Sequence, residues 1–310
     1  MYMRNILLFF LFSCQVACRI QAGNDVPDAL ASKYTIGLRT NEEVRFQYTI
    51  ISDTETELET EQGAKEQGTK AKANVNYTLV PDSGGQVRLR LVYNSINIET
   101  TEENNTTTYD SEAADRSGEP MDHMLAAMKR VSFTALMKRN GSIISISGYD
   151  SLEKSLQATT TQHNVFIPPQ ALNYFNQSVK KEVIEKNLAQ FFQIFPDSSV
   201  RVGDKWKHNT QLGGQNPLSV ESFFKLDRIE DGKAYIDVKA NLSAAEISDA
   251  GITGGIKLNG QQTGSYVVDL ETGMLLSSTI KGQLNGNALL MGRELPVKMT
   301  MNISIEGRKR

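Results

Sequence analysis

Val75-Asn76-Tyr77-Thr78-Leu79-Val80-Pro81-Asp82-Ser83-Gly84-Gly85-Gln86-Val87-Arg88-Leu89-Arg90-Leu91-Val92-Tyr93 is the stretch, residues 75–93, on which the fold turns. Val75, Tyr77 and Leu79 alternate with polar side chains. Pro81 to Gly85 supplies a turn, and Val87, Leu89, Leu91 and Tyr93 alternate on its far side. Two period-two runs around a Gly-rich turn read as an antiparallel hairpin with one face buried.

Working outward, the same pattern recurs on both sides. Val44, Phe46 and Tyr48 alternate ahead of it, and residues 54–62 alternate Thr with Glu, which reads as a solvated or edge strand. Val131 to Met137 and Ser142 to Ser147 flank Asn140-Gly141, a strong hairpin signal. Further on, Val220 to Leu226 and Ala234 to Ala240 flank Glu230-Asp231-Gly232. Ser265 to Leu270 and Met274 to Thr279 flank Glu271-Thr272-Gly273. Matching Gly141 to Gly273 aligns Ile143-Ile144 with Leu275-Leu276, so the two blocks read as an internal duplication. The expected fold class is mainly β (α+β). It has two related antiparallel β-meander halves, residues 34–160 and 197–310, and a bridging helix packed on the sheet.

Helical signals fall between the strand blocks. Pro120 stands at a first helical position, followed by Met121, Met124, Leu125 and Met128 at core-facing spacing. Asp150 to Glu153 resembles a capping box. A connector at 161–196 carries the longest apolar stripe, Val179, Val183, Ile184, Leu188, Phe191, Phe192 and Phe195, read as one helix over about 170–195 that Pro196 stops. Glu99 to Glu119 is acidic and nearly devoid of apolar residues, which predicts a long mobile loop. Its acidic residues lack the alternating pattern with a central Gly that a calcium loop needs.

The chain opens with Arg4 and Asn5 before the apolar run Ile6 to Phe12, then small residues up to Ala22-Gly23. A basic start, a short apolar run and a small-residue exit describe an export signal. That run is too short to span a bilayer, which takes about 20 apolar residues. Both cysteines, Cys14 and Cys18, lie here, so the body has no thiol for disulfides, metal sites or nucleophilic catalysis. Leu11-Phe12-Ser13-Cys14 has the form of a bacterial lipobox, making Cys14 the expected lipidation site. Cys18 is the alternative, and a plain signal peptide cut after Ala22 is the third reading. On this reading residues 1–22 are signal and anchor and 23–33 a tether. The protein sits in the cell envelope with the membrane as partner through its lipid, or is secreted if no lipid is attached.

A formal charge of −3 with scattered Lys and Arg argues against a nucleic-acid partner. The three histidines, His123, His163 and His208, lack metal-ligand spacing and read as surface or strand residues. No Gly-x-Ser-x-Gly elbow, phosphate loop or dinucleotide fingerprint is present, and Gly251 to Gly255 reads as a loop. Catalytic residues, metal ligands and cofactors are therefore assigned to none. Val202-Gly203-Asp204-Lys205-Trp206 is the most distinctive local run, and its tryptophan reads as a core residue at a strand start rather than a sugar platform.

Four segments carry a family resemblance: Val44-Arg45-Phe46-Gln47-Tyr48, the run from Pro196 to Trp206, Asp269-Leu270-Glu271-Thr272-Gly273-Met274-Leu275, and Glu294-Leu295-Pro296-Val297-Lys298-Met299. Together they resemble a family of uncharacterised envelope lipoproteins from the Bacteroidota, a domain of unknown function, over most of the chain after residue 34. The resemblance implies export, lipidation and a β-rich body, and no activity. The acidic stretch at 99–119 stands as an insertion relative to that pattern. The expected function is a non-enzymatic envelope lipoprotein binding an apolar or polymeric ligand or a protein partner. The alternative is an envelope glycan hydrolase using two carboxylates brought together only by the fold.

Overall fold

Alternating side chains put one face of each strand in oil and the other in water, and this chain does so along strands of up to nineteen residues. The computed structural model describes residues 32–103, 105–115, 117–212, 218–244, 256–290 and 292–310. Cys14, Cys18, the anchor region and Gly251 to Gly255 lie outside the described residues. The first half supplies β1 (Val44–Thr60), β2 (Gly63–Pro81), β3 (Val87–Glu102), β4 (Asn105–Asp110), β5 (Ser132–Met137) and β6 (Ile143–Ser147). The second supplies β7 (Lys205–Leu212), β8 (Leu218–Glu230), β9 (Lys233–Ala244), β10 (Ile256–Asp269), β11 (Leu275–Leu290) and β12 (Arg293–Lys309). All pair antiparallel in one open sheet, ordered β6-β5-β3-β2-β1-β12-β11-β10-β9-β8-β7, with β4 added to β3. The fold is mainly β, with 59% of residues in strands. The two halves share this sheet, joined where β1 lies along β12 from Phe46↔Lys309 to Leu58↔Val297.

The hairpin over 75–93 forms as β2 and β3, with Gly84 and Gly85 at positive φ in its turn. The methionine stripe forms the core side of α1 (Pro120–Lys129), where Met124, Leu125 and Met128 are buried. Helix α2 (Tyr149–His163) starts after Gly148 with no side-chain cap, so Asp150 is not its N-cap. The single helix expected over 170–195 is two helices, α3 (Pro169–Ser178) and α4 (Lys181–Phe192). Val179 and Lys180 leave helical geometry between them, and the break turns Phe191 and Phe192 into the core. No helix among the described residues is long and apolar enough to cross a membrane.

Two further expectations are corrected. Thr54 to Glu59 is not on an edge: β1 is central, with Thr54 and Thr56 facing inward and Glu55, Glu57 and Glu59 outward. Burying hydroxyls costs far less than burying carboxylates, so the Thr face is the inner one. The acidic stretch after Glu99 is a hairpin rather than a loop. β3 runs to Glu102, Glu103 takes a φ of 55°, and Thr100 and Thr101 pair with Thr107 and Thr106 on β4. Extension of an already paired strand makes the ladder bonds, so little apolar burial is required.

The sheet wraps around α4. Its Phe191 meets Tyr48 of β1 and Tyr77 of β2, and Phe192 meets Tyr77, while the same helix touches both edge strands, β6 and β7. Glycines concentrate on the inward face of β10 and β11. Four successive inward pairs, Leu258/Gly286, Gly260/Leu284, Gln262/Gly282 and Gly264/Ile280, each carry one glycine. A Cβ at Gly260 would overlap the Gln283 carbonyl oxygen, so the backbones approach as only glycine allows. Gly260→Ala should therefore cost about 1–3 kcal/mol in urea unfolding. Gly68→Ala, whose Cβ would meet only Thr101 at an ordinary 3.8 Å, should be neutral. Equal effects at the two sites would show that the close backbone approach at Gly260 is not what requires glycine there.

Candidate functional site

The inner face of the sheet is divided. Towards one end, strand residues such as Tyr48, Tyr77, Leu89, Ile98, Phe224 and Ile303 form one core with all four helices. Towards the other end lies a second apolar cluster drawn from strands alone. It is centred on Leu218, Val220, Leu242, Leu284, Val297 and Met299. Between them the inward row reads Ser222, Ala240, Gln262, Gly282, Met301, Thr54, Thr69 and Thr100 across β8 to β3. On β1 and β2 the polar zone is a row deeper, with Thr56 opposite Gln67. The interior here has an aliphatic wall on β8–β12 and a hydroxyl and amide wall on β1–β2.

Ser52, Thr54, Thr56, Gln67, Thr69 and Gln262 are all at most 9% exposed. The Oγ1 atoms of Thr56 and Thr69 and Oε1 of Gln262 are buried with no hydrogen-bond partner among the described residues. Each such group costs about 1–3 kcal/mol, so three on one inward face call for an occupant or a compensation. Sequence reasoning passed over this zone by giving the Thr/Glu alternation two wet faces. The usable signal was that one face is carboxylate and the other only hydroxyl.

On the outer face a groove of about 450 Å³ crosses β12, β1, β2 and β3, shaped by the missing side chain of Gly68. Its walls carry Asp53, Glu55, Glu57, Glu66, Glu99 and Glu103 against Lys70 and Lys298. Lys298 Nζ lies 3.3 Å from Glu59 and 3.5 Å from Glu57, and these exposed pairs are screened by salt. Desolvation, with help from Glu55 and Glu99 and against Lys70, lifts the Asp53 carboxyl above its ordinary range. Asp237 is also raised, by desolvation first and Asp227 next. These two carboxylates do not form a hydrolytic pair. β1 and β9 are four strand spacings apart, roughly 19 Å along the sheet at about 4.8 Å each, against the 5–10 Å that glycoside hydrolysis needs.

A family model described as a family of unknown function, DUF6263, matches residues 84–275, more than half of the chain. The chain belongs to DUF6263. The match runs from the β2–β3 turn to the first residue of β11 and takes in all four helices. A solved structure titled "Lipid-protein interactions in lipovitellin" is similar at a TM-score of 0.46 and 10% identity. The likeness covers 87% of this chain and 25% of that one. No curated protein matches the chain.

In this DUF6263 chain the remaining candidates separate by location. His208, on β7, binds the Phe195 carbonyl at 2.6 Å. His123 and His163, read from sequence as surface or strand residues, are instead helix residues packed together, with ring centres 5.0 Å apart. Their separation in the chain left no local signal. No three metal-ligating groups cluster among the described residues. Trp206 is half-buried, stacked on Phe224 at 5.6 Å and 14°, and its Nε1–H donates to the Ile194 carbonyl at 2.9 Å. It anchors an edge strand to the chain leaving α4. Trp206→Ala should cost about 2–4 kcal/mol. Trp206→Phe should keep the stacking but lose about 1 kcal/mol with the indole donor. An alanine variant that unfolds at the wild-type urea concentration would show that the ring anchors nothing.

Proposed function

We propose that this chain is an exported envelope protein, held to the membrane by a lipid on Cys14 or alternatively Cys18. In this reading it binds an amphipathic long-chain ligand inside the helix-free end of its curled sheet. The observation that carries the reading is the pairing of an apolar cluster drawn, among the described residues, from strands alone with three buried polar atoms that no described residue satisfies. A ligand with an aliphatic chain and a hydrogen-bonding head answers both walls. The aliphatic part lies against Leu242, Leu284, Val297 and Met299, and the head meets Thr56 and Thr69 on neighbouring strands, with Gln262 of β10 facing it from across the trough. Sites of this kind are mostly apolar with a few placed polar groups. The reading names no bond made or broken.

The test uses substitutions that separate a ligand site from a packing defect. Thr69→Val and Gln262→Leu remove unsatisfied polar atoms while nearly keeping shape. In the ligand-free protein each should raise stability by about 1 kcal/mol or more. The same variants should weaken binding of a fluorescent long-chain fatty acid, and native mass spectrometry should find less co-purified lipid on them than on the wild type. A wild-type chain that neither carries lipid nor takes up the probe overturns the proposal. So do variants that lose stability and leave uptake unchanged.

The anchor is tested separately by feeding cells an alkyne fatty acid. Label should enter the wild type and disappear in Cys14→Ser. Label that persists there and vanishes in Cys18→Ser moves the anchor to Cys18, and absence of label in the wild type removes it.

A further inference from the structure

The imidazoles of His123 and His163 form a cluster that the ligand site does not use. His123 lies on α1 and is wholly buried, and His163 is the last residue of α2. Asp110, at the end of β4, and Glu112 and Ser117 after it bond to α1 beside them. Asp122 Oδ1 accepts from Asp110 N at 2.6 Å, Lys129 reaches Glu112 at 3.1 Å, and His123 Nε2 meets the Ser117 carbonyl at 2.9 Å. A carbonyl can only accept, so Nε2 carries the ring proton and Nδ1 presents its lone pair. That Nδ1 is buried without a partner, and so is Nε2 of His163. The Asp115 carboxylate stands 3.4 Å from the latter nitrogen.

We infer that His123 Nδ1 and His163 Nε2, completed by Asp115, bind a divalent transition-metal ion of the zinc class. Two imidazoles on one tetrahedral ion, at about 2.0–2.1 Å from each nitrogen, hold their ring centres roughly 5 Å apart. The observed separation is 5.0 Å. The second ring nitrogen of His123 is already held by a backbone carbonyl, the arrangement that fixes a ligating tautomer. The two imidazoles are the fixed part of the site. No third ligand already converges on them among the described residues. Asp115, whose side chain is 79% exposed, swings in to complete it, with water as the fourth ligand. The bound ion ties α1, α2 and Asp115 together, gives the buried His123 Nδ1 a partner and takes the place of the 3.4 Å contact between His163 Nε2 and Asp115. Buried polar atoms elsewhere suggested the interior ligand, but this cluster is independent of that proposal.

The purified chain, stripped with a chelator, is titrated with zinc chloride by calorimetry at neutral pH, and its melting temperature is read with and without the metal. One equivalent should bind, the melting temperature should rise by several degrees, and affinity should fall on acidification as protons compete for the imidazoles. Cobalt(II) in place of zinc should give the visible absorption of a tetrahedral site. His163→Gln, at the accessible end of the pair, should abolish binding, and Asp115→Asn should weaken it at least tenfold while leaving the metal-free melting temperature unchanged. The Asp115 variant keeps the test valid if His163→Gln misfolds. Absence of zinc binding in the wild type, or full-affinity binding in both variants, overturns the inference.

Discussion

The aromatic contact of β1 and β2 with α4 is the constraint on which the molecule depends. Tyr48 and Tyr77 meet edge to face at 5.1 Å, Phe191 packs on both and Phe192 on Tyr77, and the Tyr48 hydroxyl donates to the Leu275 carbonyl. An open sheet of this width has to twist and coil, and a helix held against its middle strands decides how tightly. Once α4 is held there, the sheet bends towards it from both sides until β6 and β7 each reach the helix. The glycines of β10 and β11 let those two backbones approach closely. A strap over residues 34–39 then fastens the end. Tyr34 bridges Val200, and Leu38 and Arg39 donate to the carbonyls of Arg139 and Thr272, one in each half.

The same arrangement answers the problem of exposed strand edges. An unpaired edge invites pairing with another chain. Here Trp206 and His208 project from β7 to the carbonyls of Ile194 and Phe195, just beyond α4, which draws that edge onto the body. At the other edge, the tight turn at Gly141 packs against the Phe192 carbonyl. One short helix therefore fixes the curvature and both borders of the sheet.

Because the helices fill only one end of the trough, the interior changes character along its length. At the helical end, apolar side chains from two layers interlock. Beyond the row through Ser52 and Ile303, no helix residue among the described residues takes part, and one wall turns to threonine and glutamine. A sequence optimised for stability alone would place valine where Thr56 and Thr69 stand, since the shapes match and the desolvation cost disappears. Retaining hydroxyls there, beside an aliphatic wall, is consistent with an interior that serves a ligand as well as the fold.

The strands, most hairpin turns, the methionine face of α1 and the structural placement of Trp206 were legible in the chain by itself. Each is a local matter of period-two or helical spacing, or of a turn that needs glycine. Residue types alone did not show that the Thr/Glu run of β1 has a buried face, because both faces are polar; pairing with β2 and β12 puts it inside the sheet, and the hydroxyl face is then the one that turns inward. Nor did they decide that the acidic stretch after Glu99 pairs, because its support is the ladder of β3 and not its own side chains. The break at Val179 and Lys180 was hidden because either one helix or two gives the same apolar stripe. The meeting of His123 with His163, and of three partnerless polar atoms inside one trough, depends on how α1 packs on α2 and how far the sheet curls. Those are long-range contacts, and no local periodicity encodes them.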